Sequence, residues 1–185
     1  MAEDRNIIIP QHLYTPEAAE DWLRRFHFIE PGESVYATPV RQQVHATVAY
    51  PLSDKLHILL QKYFVEGRID AISGMILCQE NTAGQDTADI TFLDKKVVLT
   101  LRNNGKLLNH QITETGTIEN LVYKIALICE AAGIRQDELK VSISGLCLTE
   151  DNTAELKAYF PKMNVPGSEQ FSSFTLLSKL ISCAS

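Results

Sequence analysis

Asn103-Asn104-Gly105 constrains this chain more than any other three residues. Asn-Gly supplies the positive φ that a primed two-residue turn needs, so the flanking segments must fold back on each other as a hairpin. With the turn at Asn104-Gly105, Leu101 faces Leu108, Leu99 faces His110 and Val97 faces Ile112 on one side. Arg102 with Leu107, Thr100 with Asn109 and Val98 with Gln111 make the other. Because side chains alternate along a strand, this register predicts one apolar and one mostly polar face.

A second tight turn at Asp94-Lys95 pairs Phe92 with Val97, Ile90 with Leu99 and Ala88 with Leu101, which carries the apolar face onto a third strand. Thr117 is then a helix N-cap. Ile118, Leu121, Val122, Ile125, Ala126, Cys129 and Ala132 follow at the spacing of one helix face, and Gly133 is the stop. Beyond Asp137-Glu138, Val141 and Ile143 alternate with Ser142 and Ser144 up to Gly145, the pattern of a strand returning beside the first by a right-handed crossover. Ala88 to Leu146 therefore reads β-β-β-α-β. That is the element order at the core of the ribonuclease H-like fold, and hence of one lobe of actin-like ATPases.

Four stretches resemble a family of uncharacterised bacterial proteins with an actin-like ATPase domain: Gly105-Lys106-Leu107-Leu108, Ser142-Ile143-Ser144-Gly145, Ala158-Tyr159-Phe160 and Leu13-Tyr14-Thr15-Pro16-Glu17. The resemblance spans nearly the whole chain. It implies an α/β protein of ribonuclease H-like, actin-like architecture, with two lobes built on mixed sheets.

The first half is read from its own signals. Ile7-Ile8-Ile9 before Pro10 is a short buried strand. Thr15-Pro16 opens a helix whose stripe is Ala18, Ala19, Trp22, Leu23 and Phe26, with Trp22 a core residue. Val35 to Ala37 and Val44 to Tyr50 are strands, and Ser53-Asp54 caps a helix carrying Leu56, Leu59, Leu60, Tyr63 and Phe64 that Gly67 stops. Arg68 to Ile72 reads as a strand and Ser73 to Gln79 as a helix. The polar, small-residue run at 81–87 is the linker, so residues 1–80 form the first lobe and 88–185 the second. After it, Thr149 caps a helix that Pro161 ends, Met163-Asn164-Val165 is a last short strand, and Phe171, Phe174, Leu177 and Ile181 mark a closing helix.

Composition excludes several function classes. A formal net charge of -6, with no Lys/Arg cluster, argues against nucleic-acid binding. No run approaches the roughly 20 apolar residues of a membrane-spanning helix, and Met-Ala-Glu-Asp-Arg-Asn has neither the basic start nor the apolar core of a signal peptide. A cytoplasmic protein is expected. Cys78, Cys129, Cys147 and Cys183 stand far apart without CxxC or CxxH spacing, so reduced thiols are expected rather than a metal site or a disulfide framework.

The resemblance directs attention to three residues. Actin-like ATPases hold nucleotide between their lobes with a first-strand acid for Mg²⁺ and a glycine-rich turn that lets backbone N–H groups reach the phosphates. The matching stretch, Asp89 to Lys96, has no glycine, and Asp89 falls on the polar face beside Thr100, where it reads as solvated. Gly145 stands where such a fold places an adenosine-contacting glycine, although a glycine at a strand end also relieves backbone crowding. Asp89, Asp94 and Gly145 are thus the remnants available to a divergent nucleotide site. His110, set among apolar residues by the register above, reads as a hydrogen-bonded core or edge histidine; His45 and His57 fall on polar faces. No GxSxG, Walker loop or HExxH occurs, so no catalytic residue, metal ligand or cofactor is assigned.

The preferred expectation is a non-catalytic interaction or scaffold module on a degenerate actin-like fold; the alternative is a divergent nucleotide-binding ATPase using the interlobe cleft. The resembling family carries a three-strand meander ahead of the stretch matching Ile7, which makes the first lobe here incomplete and predicts an apolar edge at Ile7 to Ile9 and Val44 to Tyr50. Either the chain is a fragment of a longer product, or a protein partner covers that edge, a second copy forming a homodimer that buries about 1,200 Å² or more.

Overall fold

The computed structural model describes residues 5–40, 44–67, 69–78, 84–145 and 149–164. The chain divides into two compact units, Met1–Cys78 and Gln79–Ser185.

In the first unit, β1 (Ile7–Pro10) is followed by two 3-10 turns and α1 (Ala19–Arg24), then β2 (Glu33–Pro39), β3 (Ala46–Ser53), α2 (Asp54–Tyr63) and α3 (Ile72–Leu77). Thr15 caps the second turn, its hydroxyl accepting from Ala18 N at 3.3 Å, with Pro16 at the first position. The strands form one antiparallel sheet in the order β1-β3-β2. β3 is the middle strand, paired on both sides, and Ala46 to Tyr50 are buried on both faces. The expected exposed edge at Val44 to Tyr50 is therefore wrong: the edges are β1 and β2. Ile9, Ala19 and Ala49 form a small core, with Ile7, Tyr14, Trp22 and Val35 packed against it. The Arg25 guanidinium lies over the Trp22 ring, 4.9 Å from its centre.

Two local expectations fail in this unit. α1 ends at Arg24, so the buried stripe stops short of Phe26, which is exposed. Residues 69–71 form no strand; Ile69 O accepts from Tyr50 Oη at 3.1 Å and Asp70 Oδ1 from Thr38 Oγ1 at 3.2 Å, so side chains of β2 and β3 hold this connection. α3 then packs closely on β3 through Gly74, where an added Cβ would touch Thr38 and Val48.

The second unit contains β4 (Thr87–Phe92), β5 (Lys96–Asn103), β6 (Lys106–Glu114), α4 (Ile118–Ala132), β7 (Lys140–Gly145) and α5 (Glu150–Tyr159). Its mixed sheet runs β6-β5-β4-β7, antiparallel except for β4 beside β7. The meander, covering helix and returning parallel strand match the β-β-β-α-β reading, and a parallel bridge from Ser142 to Asn164 puts the next segment outside β7. Positive φ at Asn104 (49°) and Gly105 (81°) closes the hairpin where the Asn-Gly pair demanded it. Asp86 Oδ1 accepts from Asn104 N at 3.0 Å and ties this turn to the start of β4. Thr117 caps α4, Thr149 caps α5, and Gly133 ends α4 in the left-handed conformation.

The core of this unit lies between one sheet face and the two helices. Ala88, Ile90, Phe92, Val97, Leu99 and Leu101 meet Leu121, Ile125 and Cys129 of α4 and Leu156 of α5. Val165 and the closing helix expected through Phe171 to Ile181 lie outside the described residues, as do Cys147, Cys183 and positions 81–83 of the expected linker.

Candidate functional site

The β5–β6 pairing departs from simple alternation, and this decides which residues meet. Arg102 pairs with Leu107 as the turn predicts, but a bulge between Leu101 and Arg102 sets Leu101 opposite Asn109, Thr100 opposite His110 and Leu99 opposite Gln111. One extra residue in β6, Leu108, carries every later side chain to the other face. His110 is thus not on the apolar face opposite Leu99. Thr113 has turned toward α4 instead, where Lys124 Nζ donates to its hydroxyl at 2.7 Å.

The face opposite α4 is consequently a stripe of polar side chains. Thr100 Oγ1 and His110 Nδ1 are 2.9 Å apart, Arg102 Nη1 donates to Asp89 Oδ2 at 2.7 Å, and Thr91 and Ser144 share a hydrogen bond at 3.3 Å. This face is buried rather than wetted. Thr100 is fully buried and Arg102 is 1% exposed. Arg102 Nε and Nη2 and His110 Nε2 are buried without a hydrogen-bond partner among the described residues. Burial lowers the pKa of Arg102, opposed by the neighbouring carboxylate of Asp89. Burial, with the charge of Arg102 adding to it, pushes His110 down to about 4, so its imidazole is neutral near pH 7.

The three candidate remnants do not converge. Asp89 sits in mid-strand, its side chain 24% exposed and ion-paired to Arg102, so the solvated reading is corrected. The register itself held the signal, because Thr87 opposite Arg102 and Asp89 opposite Thr100 put acid and base on one face, one step apart diagonally. Arg102 was the residue missed. Asp94 is exposed in the β4–β5 turn, two residues past Phe92, the residue that pairs with Gly145. Gly145 has φ 132°, and a Cβ there would come within 2.6 Å of Phe92 N and closer still to its carbonyl. Backbone crowding between β7 and β4 is sufficient reason for glycine at this point.

Nor does the β4–β5 turn fit a phosphate cradle. It contains no glycine, and Leu93 N–H is donated to Lys96 O at 2.8 Å, so that amide is engaged within the hairpin. Among the described residues no three His, Cys, Asp or Glu side chains gather as metal ligands, and no helix is long and apolar enough to cross a membrane. Two open depressions in this unit, one beside Gln136 and Tyr159 and one beside Thr113 and Lys124, are not lined by Asp89, Asp94 or Gly145. In the first unit His57, expected on a polar face, has its Nδ1 2.7 Å from Tyr36 Oη and anchors α2 to β2.

The chain is similar to a solved Bacteroides thetaiotaomicron protein described as having an actin-like ATPase fold and unknown function, at 16% identity and a TM-score of 0.80, over 98% of this chain and 71% of that one. This likeness shows the fold: an α/β protein of actin-like architecture. Archaeoglobus fulgidus Pelota aligns over 100% of this chain and 64% of its own at 13% identity, but with a TM-score of 0.29 that supports no argument. Among curated protein sequences none matches. A family model matches residues 1–163, and the chain belongs to that family, described as "Protein of unknown function (DUF3822)".

Proposed function

We propose that this chain is a non-catalytic interaction or scaffold module built on an actin-like fold. The observation that carries the reading is the Asp89–Arg102 ion pair at 2.7 Å. A strand carboxylate that is to hold the Mg²⁺ of a nucleotide must face the ligand, whereas this one compensates a buried guanidinium and is not free to do so. The turn that follows, glycine-free with Leu93 N–H engaged, supports the same reading. Binding to a protein partner is supported by apolar side chains left exposed on the first unit, Ile58, Tyr63 and Val65 among them.

The test is thermal unfolding with and without ATP and Mg²⁺. No shift in Tm is expected. A ligand at a hundredfold over its Kd stabilises by about 2.7 kcal/mol, so a dose-dependent rise would overturn the reading and make the chain a divergent nucleotide-binding ATPase.

A further inference from the structure

α2 is an amphipathic helix without a buried residue. The helix packs against β3, with Leu56 and Leu60 half-buried, and is tied to Tyr36 of β2 through His57. On the helix and the turn after it, Ile58 is 65% exposed, Leu59 50%, Tyr63 68%, Phe64 64% and Val65 85%. Five large apolar side chains within eight residues are not the scattered exposure of an ordinary surface.

We infer that α2 is the contact surface of a homodimer, packed antiparallel against α2 of a second copy of this chain. Two observations select a second copy as the occupant. The first is area. With about 150–250 Å² for a whole aromatic side chain and somewhat less for an aliphatic one, the exposed fractions amount to roughly 600 Å², the upper end of the patch a monomer carries. Two such patches closed on each other remove about 1,200 Å², the lower bound of a stable interface.

The second is charge. The chain carries a net -6, which opposes self-association in general, but residues 54–66 hold two acids (Asp54, Glu66) and two bases (Lys55, Lys62) and are locally neutral. Asp54 is in the first turn of α2 and Lys62 in the last. Lys55 beside Asp54 and Glu66 beyond Lys62 leave both ends near neutral, so an antiparallel pair brings no like charges together and opposes the two helix dipoles favourably. A two-fold axis through the helix pair makes the interface self-complementary and closed.

This inference rests on the interaction-module reading, and the two fail separately: nucleotide binding sinks that reading without altering chain mass, and a monomer sinks the dimer without creating a nucleotide site. The experiment is light scattering on the full chain during size exclusion. The expected mass is twice the 20.7 kDa of one chain. Leu59→Lys, at an exposed position, is expected to halve that mass while leaving the far-ultraviolet circular dichroism and cooperative unfolding unchanged. Phe26→Lys, at a more exposed position outside the patch, is expected to leave the dimer intact. A wild-type chain that is monomeric up to high micromolar concentration, or a dimer that survives both Leu59→Lys and Tyr63→Glu in folded protein, would overturn the inference.

Discussion

Asp89 and Arg102 meet at 2.7 Å on one face of adjacent strands, and the arginine is the buried partner, 2% exposed in its side chain against 24% for the aspartate. Removing the aspartate leaves the guanidinium charged and buried, which typically costs about 3–5 kcal/mol, whereas replacing both residues is far milder. Asp89→Asn is therefore expected to destabilise the protein by about 3 kcal/mol, with most of this recovered in Asp89→Asn/Arg102→Met. Urea unfolding of both variants measures it. A cost under about 1 kcal/mol for Asp89→Asn would mean the pair behaves as an ordinary surface bridge.

Leu99 and Thr100 point to opposite faces, yet both are fully buried. On the alternation reading alone, Leu99→Asp unfolds the chain and Thr100→Asp is tolerated; burial of the second face overturns the latter half. Thr100→Val, close in shape, is expected to cost about 1–2 kcal/mol by leaving His110 Nδ1 without its hydrogen bond. Leu99→Asp is expected to abolish folding, because an unpaired charge in the core costs more than a domain of this size can spare. Chemical denaturation and circular dichroism distinguish the two outcomes.

His110 makes stability depend on pH with a defined sign. Its pKa falls from 6.5 to about 4 on folding, so between these values the unfolded chain binds a proton that the folded chain refuses. The contribution is present above pH 6.5 and is lost as pH falls toward about 4, by roughly 3 kcal/mol in all. Melting temperature measured from pH 7 to 5, above the range where carboxylates titrate, is expected to decline in the wild type and to decline less in His110→Gln. Parallel curves would show that His110 is hydrated in solution.

Gly145 is tested by one methyl group. With φ at 132° and Phe92 main-chain atoms filling the place of a Cβ, Gly145→Ala must part the ends of β4 and β7. A loss of about 3 kcal/mol or more is expected. Gly84→Ala, also at positive φ but with open space around it, is expected to cost about 1 kcal/mol. Equal effects would remove the crowding account and return Gly145 to candidacy as a ligand-contacting residue.

The amino-acid sequence by itself determined the features that are settled within a few residues. Asn104-Gly105 placed the hairpin because few residue pairs accept positive φ twice in succession. Thr117, Gly133 and Thr149 bounded the helices because free amide and carbonyl groups at helix ends need partners close in the chain. The β4–β5 register was legible too, since the tight turn at Asp94-Lys95 fixes the pairing and leaves Ile90, Phe92, Val97 and Leu99 on a single face. What the tertiary structure alone decided is where that local logic ran out. Leu107-Leu108-Asn109-His110 accommodates a regular strand or a bulge with similar local cost, and the choice made in the folded sheet moved His110 from Leu99 to Thr100. Alternation of Thr, Arg and Ser with apolar residues looks the same whether the polar face meets water or protein, so the burial of Thr100 and Arg102 was invisible in it. On α2 the reverse holds: an apolar stripe signals that a face wants cover, but only the packed chain shows that this face remains open.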